Sequence, residues 1–571
     1  MSVFDLVIKG GQVLDGTGAP GRTADIAVLD GLIATVGRVD DSATRVIDAD
    51  GALVTPGFVD IHTHYDGQAT WDERLLPSAW HGVTTVVMGN CGVGFAPVHP
   101  EDHDRLIELM EGVEDIPGAA LHEGLSWRWQ SFAEYLDALD SRPHDIDFAA
   151  QLPHGALRLF VMGERGANRE PASAEEIAEM GRLAAEAVRA GALGFTTSRT
   201  LNHRTSRGEP TPTLTASRDE LVGIAREIGT THAGVLQVVT DFIDAEYELT
   251  TFREMMLASR RPLSVSLAQS DHTEVFRNVL DAITEANAEG LEMRAQVAAR
   301  GIGVLLGLQA TVNPFQRCST FRTVANYPLA ERVARLSEPE IRDRILAEYP
   351  NAAIGFIARF DRMYALGDPP DYEPSPDTSL AARAARERRR PEELAYDHLL
   401  ADNGRAFLYV PILNYVDGDL DAVREMLVHP FTVPGLSDGG AHVGTICDAS
   451  FPTTLLSHWG RDRSRGEGIE MTEVVRRQCR ETAFALGLRD RGVLARGFKA
   501  DLNVIDPEEI GMRAPEMAFD LPAGGKRLLQ RATGYVHTIV SGQEVYSRGE
   551  ATGPLPGRLV RGSQPEPAAS S

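Results

Sequence analysis

The sequence predicts an α/β protein: a TIM-like (β/α)8 barrel, a small β-sandwich built from both chain ends, and a lid subdomain inserted in the barrel. Three observations predict it. Short apolar runs alternate with helical segments through the middle of the chain, the pattern of a parallel sheet with covering helices. Strand-like segments with glycine turns stand at both ends. One stretch, 314–405, is too long for a plain connection between neighbouring strands.

The N-terminal segment 1–56 reads as short strands at Asp5–Ile8, Gln12–Leu14, Asp25–Leu29, Leu32–Val36 and Arg45–Asp48, with hairpin signals at Asp15-Gly16 and Asp30-Gly31. Strands return at 499–506 and 535–540. A β segment of about fifty residues buries little by itself, so 1–56 and 490–562 are expected to form one sandwich. Between them, residues 57–489 offer eight barrel strands: Gly57–His62, Val83–Met88, Asp147–Leu152, Ala192–Thr197, Val235–Thr240, Leu263–Ala268, Glu292–Val297 and Thr432–Ser437. Ser173-x-x-Glu176 and Ser217-x-x-Glu220 read as capping boxes opening two of the helices. In such a barrel the chemistry sits at the strands' C-terminal ends. The 314–405 insertion, with a charged helix at Ala381–Arg388, is expected to cover that mouth or to form an oligomer contact. The tail 563–571, rich in Pro, Ala and Ser, is expected to be disordered.

At 571 residues the chain exceeds a single core and calls for more than one domain. A net charge of −26 argues against nucleic acid and against anionic membrane surfaces. A small-molecule substrate and a homo-oligomer remain as the expected partners. Four cysteines (Cys91, Cys318, Cys447 and Cys479) without paired spacing suit a reducing cytoplasm. The chain enters a strand at Val3–Ile8 with no cationic, apolar leader, and no apolar run is long enough to span a bilayer.

The most informative motif is Gly57-Phe58-Val59-Asp60-Ile61-His62-Thr63-His64, an apolar strand ending in His-x-His. Side chains alternate along a strand, so His62 and His64 point the same way. Two neutral imidazoles side by side suit a divalent metal, most often zinc. The bland alternative is a pair of surface histidines. The Thr55-Pro56-Gly57 breaker before the strand and a second apolar strand about twenty residues on favour the metal.

Further segments fall in place with it: Leu6-Val7-Ile8-Lys9-Gly10-Gly11, Gly89-Asn90-Cys91-Gly92, Pro153-His154-Gly155-Ala156-Leu157-Arg158, Leu436-Ser437-Asp438-Gly439 and Gly497-Phe498-Lys499-Ala500-Asp501. With these motifs the chain resembles the amidohydrolase superfamily, and within it the N-acyl-D-amino-acid deacylase (D-aminoacylase) group, over nearly its whole length. The resemblance implies a metal at the barrel mouth held by His62, His64 and Asp438, with Asp438 also acting as general base. Cys91 matches the position where that group uses a thiolate ligand. In that group the fifth and sixth strands end in histidines that hold a second ion. Here Val239 and Leu267 stand at the matching places, and His232 and His272 lie out of register, as surface residues. One zinc is therefore expected, with two as the alternative.

The implied activity is hydrolysis of a linear amide, a C–N bond other than a peptide bond, in an N-acyl (D-)amino acid or a related compound. A divalent cation lowers the pKa of its water, and a carboxylate beside it can take the proton and pass it to the leaving amine. His154 and His203 follow the third and fourth strands and are candidates to orient substrate; His442 closely follows Asp438. Arg199 and Arg300 follow the fourth and seventh strands and are candidates for a substrate carboxylate. A cyclic-amide hydrolase is the nearest alternative, but its relatives carry a carboxylated lysine on the fourth strand, and Ala192–Ser198 has no Lys. The alternative of another class is a non-catalytic scaffold, suggested by the missing histidines.

Overall fold

The computed structural model describes residues 3–568 of the chain. Its N-terminal strand runs unbroken from Phe4 to Val13, where two short strands were expected, and a bulge between Ile8 and Gly11 takes up the irregularity. Gly11 is required there, because a Cβ on it would lie 2.4 Å from the Val54 side chain. Asp30 and Gly31 take positive φ (51° and 74°), as a two-residue hairpin demands, and join Arg22–Leu29 to Leu32–Gly37. Asp15-Gly16 instead opens a wider loop, in which the Asp15 carboxylate accepts from the Thr17 amide.

The two chain ends share one nine-stranded sheet. Leu502–Ile505 pairs antiparallel with Leu53–Pro56, Val504 opposite Val54, and Tyr535–Val540 lies on its far side. Period-two apolar residues from both ends (Leu6, Ile8, Ile26, Val28, Leu502, Val504) meet in one core. Neither end has enough of them to bury a face alone.

The parallel strands form two runs. Phe58–Asp60, Val83–Met88 and Asp147–Ala150 make the first; Leu152–Pro153, Gly194–Arg199, Val235–Thr240, Leu263–Leu267, Met293–Val297 and Thr432–Pro434 make the second. The runs meet at Gln151, where one strand changes partners. At the other side the Asp438 amide donates to the His62 carbonyl (3.0 Å) and the His64 amide to the Gly439 carbonyl (2.8 Å). The fold is a mixed α/β, TIM-barrel-like one, and these strand ends and the turns after them carry the residues of interest.

The insertion has a core of its own, in which Phe315, Phe321, Ile345, Tyr349, Leu380, Tyr396 and Leu399 pack together. It grows from an antiparallel pair, Ile302–Leu306 with Leu408–Leu413, so the departure from the βα pattern begins before residue 314. Glu373 fastens it to the rest, accepting from Arg463 (3.1 and 3.2 Å) and from the Leu420 amide (2.9 Å).

Residues 563–568 of the expected disordered tail are described, and part of that stretch is tied to the body of the chain. Gln564 donates its amide to the Gly487 carbonyl and accepts from the Arg489 amide. Residues 569–571 lie outside the described residues. Among the described residues no helix is long and apolar enough to cross a membrane.

Candidate metal centre

His62 and His64 leave the first parallel strand on the same side, both 1% exposed. The His62 Nδ1 lies 2.6 Å from Gln296 Oε1, and the Gln296 amide NH2 donates to Ser264. With Nδ1 as the donor to Gln296 Oε1, the Nε2 lone pair faces inward, toward Cys91 and Asp438. Ser437 Oγ lies 2.5 Å from the Asp60 carboxylate and 3.1 Å from the His62 carbonyl, either of which can take its one proton, tying the first strand to the turn that carries Asp438. Burial pushes the Asp60 carboxyl up to about 7.

Cys91 sits in a tight turn after the second strand with φ +56°, a conformation unusual for a residue with a Cβ. Two glycines flank the turn closely. A Cβ on Gly89 would lie 2.2 Å from the Gln151 carbonyl oxygen, and one on Gly92 would lie 3.0 Å from the Ser198 amide. The Thr196 hydroxyl clamps the turn from both sides, donating to the Gly89 carbonyl (2.5 Å) and accepting from the Gly92 amide (3.1 Å).

Four donors converge. His62 Nε2 is 3.3 Å from Cys91 Sγ and 3.4 Å from Asp438 Oδ1, and His64 Nε2 is 3.6 Å from the same oxygen. The ring nitrogens of His62 and His64 and the Cys91 sulfur all lie within 4.8 Å of one another. Donors placed tetrahedrally at about 2.0–2.3 Å from one ion are roughly 3.3–3.7 Å apart, and the His62–Cys91, His62–Asp438 and His64–Asp438 spacings fall in that range. Both His64 nitrogens are buried without a hydrogen-bond partner, a costly state that a bound cation relieves. The residue set therefore fits a metal.

The electrostatics agree for Asp438 and His62, while for His64 burial is outweighed by Glu114, Asp438 and Cys91, which raise the ring well above its ordinary value, as negative groups gathered for a cation would. Burial disfavours ionisation of Asp438, but the nearby His64, 3.6 Å away, with His62 and His442, outweighs it and holds the carboxyl far below its usual range. Burial pushes the Cys91 thiol up to about 12, against the pull of His64, so ionising it calls for a cation in contact. Burial lowers His62 to about 4, keeping the ring neutral as a ligand must be.

Two residues that the sequence reading did not single out complete the site. Gln296 orients His62. Glu114, 1% exposed, places Oε1 3.3 Å from His64 Nδ1 and Oε2 3.5 Å from His442 Nε2. Glu114 ends helix His103–Glu114 on the side carrying Ile107 and Met110, and an acidic residue continuing an apolar stripe was the signal available.

The other candidates divide. His442 lies 3.9 Å from Asp438 Oδ2, and half-buried His203 is lowered to about 3 by burial and then by His442 and His64. Its Nδ1 bonds Ser198. His154, Arg199 and Arg300 are corrections to the expected roles. His154 is fully buried with Nδ1 on Thr197 (2.8 Å) and Nε2 on Glu220 (3.0 Å), so neither nitrogen is left for a substrate. Glu220 also accepts from Arg158, so Ser217 caps its helix without the reciprocal bond of a capping box. Arg199 is paired with Glu248 at 2.7 Å and donates to the Ala216 carbonyl. Arg300, 1% exposed, is held by Asp448, Thr454 and the Cys447 carbonyl, with its plane 3.5 Å from the Tyr372 ring. Of the residues flagged as out of register, His232 and His272 are exposed, while Val239 and Leu267 end the fifth and sixth strands where no ligand stands.

The match to a family model and to D-aminoacylase relatives shows a hydrolase acting on C–N bonds other than peptide bonds. The chain belongs to the Amidohydrolase family, whose profile matches residues 45–546. It is similar to a D-aminoacylase of Alcaligenes xylosoxydans xylosoxydans, 27% identical over 98% of this chain and 97% of that one. It is also similar to an N-acyl-D-glutamate deacylase of the same organism, 28% identical over 98% and 96%. Among solved structures, it is similar to a D-aminoacylase whose binuclear metal centre shows one-metal activation and second-metal attenuation (TM-score 0.64, 25% identity, 98% of this chain and 100% of that one).

Proposed function

We propose that this chain is a zinc-dependent deacylase that hydrolyses the linear amide of an N-acyl (D-)amino acid or a related compound. The observation that carries the reading is the convergence of His62, His64, Cys91 and Asp438 at spacings that suit one ion. When bound, the cation lowers the pKa of a water and polarises the amide carbonyl. The protein's own residues do the rest. Asp438, ionised and 18% exposed, takes the proton of the attacking water and returns it to the departing amine. Gln296 keeps the His62 proton on Nδ1. His203 and His442, facing the same space, orient the substrate.

The reading includes the wider organisation. The parallel strands form one (β/α)8 ring over 57–489, 1–56 with 490–562 forms the composite β domain, and 314–405 serves as a lid that shapes the acyl pocket. Similarity to deacylases of D-amino-acid derivatives supports the substrate class. Because Arg199 and Arg300 are engaged within the fold, the substrate carboxylate is met by other groups.

The test is metal content per chain in protein purified without added metal, beside a His62→Ala/His64→Ala variant, followed by a screen of N-acyl amino acids. One zinc, lost in the variant, with release of free amino acid supports the reading. No zinc, or zinc that survives the double substitution, overturns it and puts a non-catalytic scaffold first.

A further inference from the structure

We propose that the protein binds a small organic dianion, a phosphate ester or a dicarboxylate on a flat apolar body, in an arginine-lined depression at the end of the parallel strands opposite the metal centre. The depression holds about 970 Å³. Val235, Pro262 and Leu291 line it, and they stand at or just before the starts of three neighbouring parallel strands, Val235–Thr240, Leu263–Leu267 and Met293–Val297. His62, Cys91 and Asp438 instead follow the ends of their strands, Phe58–Asp60, Val83–Met88 and Thr432–Pro434. The two places are therefore separate, and the inference does not depend on the metal.

The chain carries a net charge of −26, yet five arginines against three glutamates line this depression. The glutamates are answered. Glu289 is held by Arg253, Glu481 by Arg476 (2.7 Å) and Arg480 (3.2 Å), and Glu292 offsets Arg261. The guanidinium groups of Arg260, Arg294 and Arg489 have no hydrogen-bond or ion-pair partner among the described residues. Arg294 is the most telling of them. It stands two residues before Gln296 on one strand, so the two side chains leave the same side, the side on which Gln296 meets His62. Half-buried there, it also lines a smaller cavity with Ile61, Ser264 and Val433. A guanidinium drawn part-way out of water without an acceptor favours an anion beside it. Phe484 supplies an aromatic wall, with the Arg480 and Arg489 guanidinium groups 4.8 and 5.7 Å from its ring centroid. Unpaired arginine forks match the oxygens of a carboxylate or phosphate, and the ring with Val235 and Leu291 matches a flat apolar body.

The test is isothermal titration calorimetry of the full-length protein, as purified, with phenyl phosphate and with phthalate, which carry the two kinds of dianion on the same ring. The expected result is one equivalent of probe per chain, bound about tenfold or more weakly by Arg294→Gln and by Arg489→Gln, and bound unchanged by His62→Ala/His64→Ala. Tighter binding of phenyl phosphate assigns the site to a phosphate ester, and tighter binding of phthalate to a dicarboxylate. Arg489 is exposed, so its variant keeps the test decisive should Arg294→Gln fail to fold. No binding of either probe overturns the proposal, as does binding that Arg489→Gln leaves unweakened. Binding that the histidine double variant loses also overturns it, because the anion would then sit at the metal centre.

Discussion

Thr196→Val removes one hydroxyl and keeps the side chain's shape, so it isolates what that hydroxyl does for Cys91. The hydroxyl donates to Gly89 (2.5 Å) and accepts from Gly92 (3.1 Å), the two residues that flank Asn90-Cys91. Without it a buried carbonyl and a buried amide lose a partner, at about 1–3 kcal/mol each, so the fold should lose about 2–6 kcal/mol. Cys91 holds φ +56°, a conformation that costs about 1–2 kcal/mol outside glycine. Released from the clamp, the turn relaxes toward ordinary φ and carries Sγ off the position 3.3 Å from His62 Nε2. Loss of an outer-shell support of this kind typically costs 10- to 100-fold in metal affinity, or about 1.4–2.7 kcal/mol. Competition for zinc against a chromophoric chelator measures the affinity, and thermal unfolding of stripped protein measures the fold. Thr196→Ser, which keeps the hydroxyl, should restore the affinity. A Val variant destabilised as expected but binding zinc within about twofold of the parent would refute the argument, because the clamp would then serve the fold and not the ligand.

Four further outcomes follow from the same structure. Gln296→Leu frees the His62 Nδ1–H and should weaken zinc about 10- to 100-fold in the same competition assay, with little change in secondary structure by circular dichroism. Glu220→Gln leaves the Arg158 guanidinium, fully buried, without its counter-charge; a loss of about 3–5 kcal/mol is expected in denaturant unfolding. Glu373 is disfavoured as an anion by burial, but His458, Arg463 and the Leu420 amide outweigh that and lower it to about 2 from an ordinary 4.5. The folded value is the lower one, so this stabilisation is complete above pH about 4.5 and is lost as pH falls toward 2, and Glu373→Gln should flatten acid unfolding across that window. Stripping zinc with a chelator should lower the unfolding temperature in a way that added zinc reverses, and His62→Ala/His64→Ala should abolish the difference.

Several features were legible because they depend on neighbours in sequence. The His62/His64 pair is a consequence of strand periodicity, and each of the eight expected apolar runs carries a parallel strand, although Gly57–His62 shortens to Phe58–Asp60, Thr432–Ser437 to Thr432–Pro434, and Asp147–Leu152 breaks at Gln151. Cys91 and Asp438 come from the family resemblance; what is local is their turns, where Gly89 and Gly440 both take positive φ. The hairpin at Asp30-Gly31 was likewise readable from two residues.

The rest turned on where distant segments meet. Gln296 lies 234 residues from His62, and a glutamine in a strand says nothing about which side chain it will touch. Glu114 reads as one more acid at a helix end until the fold brings it between His64 and His442. The arginines show the limit most clearly. Arg199 and Arg300 stand at strand ends as a carboxylate clamp would, yet Glu248 and Asp448 reach them first. Sequence alone determined the strand order of residue types, the paired imidazoles and the chemistry they suit, because backbone sterics and side-chain alternation act over a few residues. Which buried charge pairs with which, and which donors remain free to bind, only the tertiary structure decided, because that depends on distances between residues hundreds of positions apart.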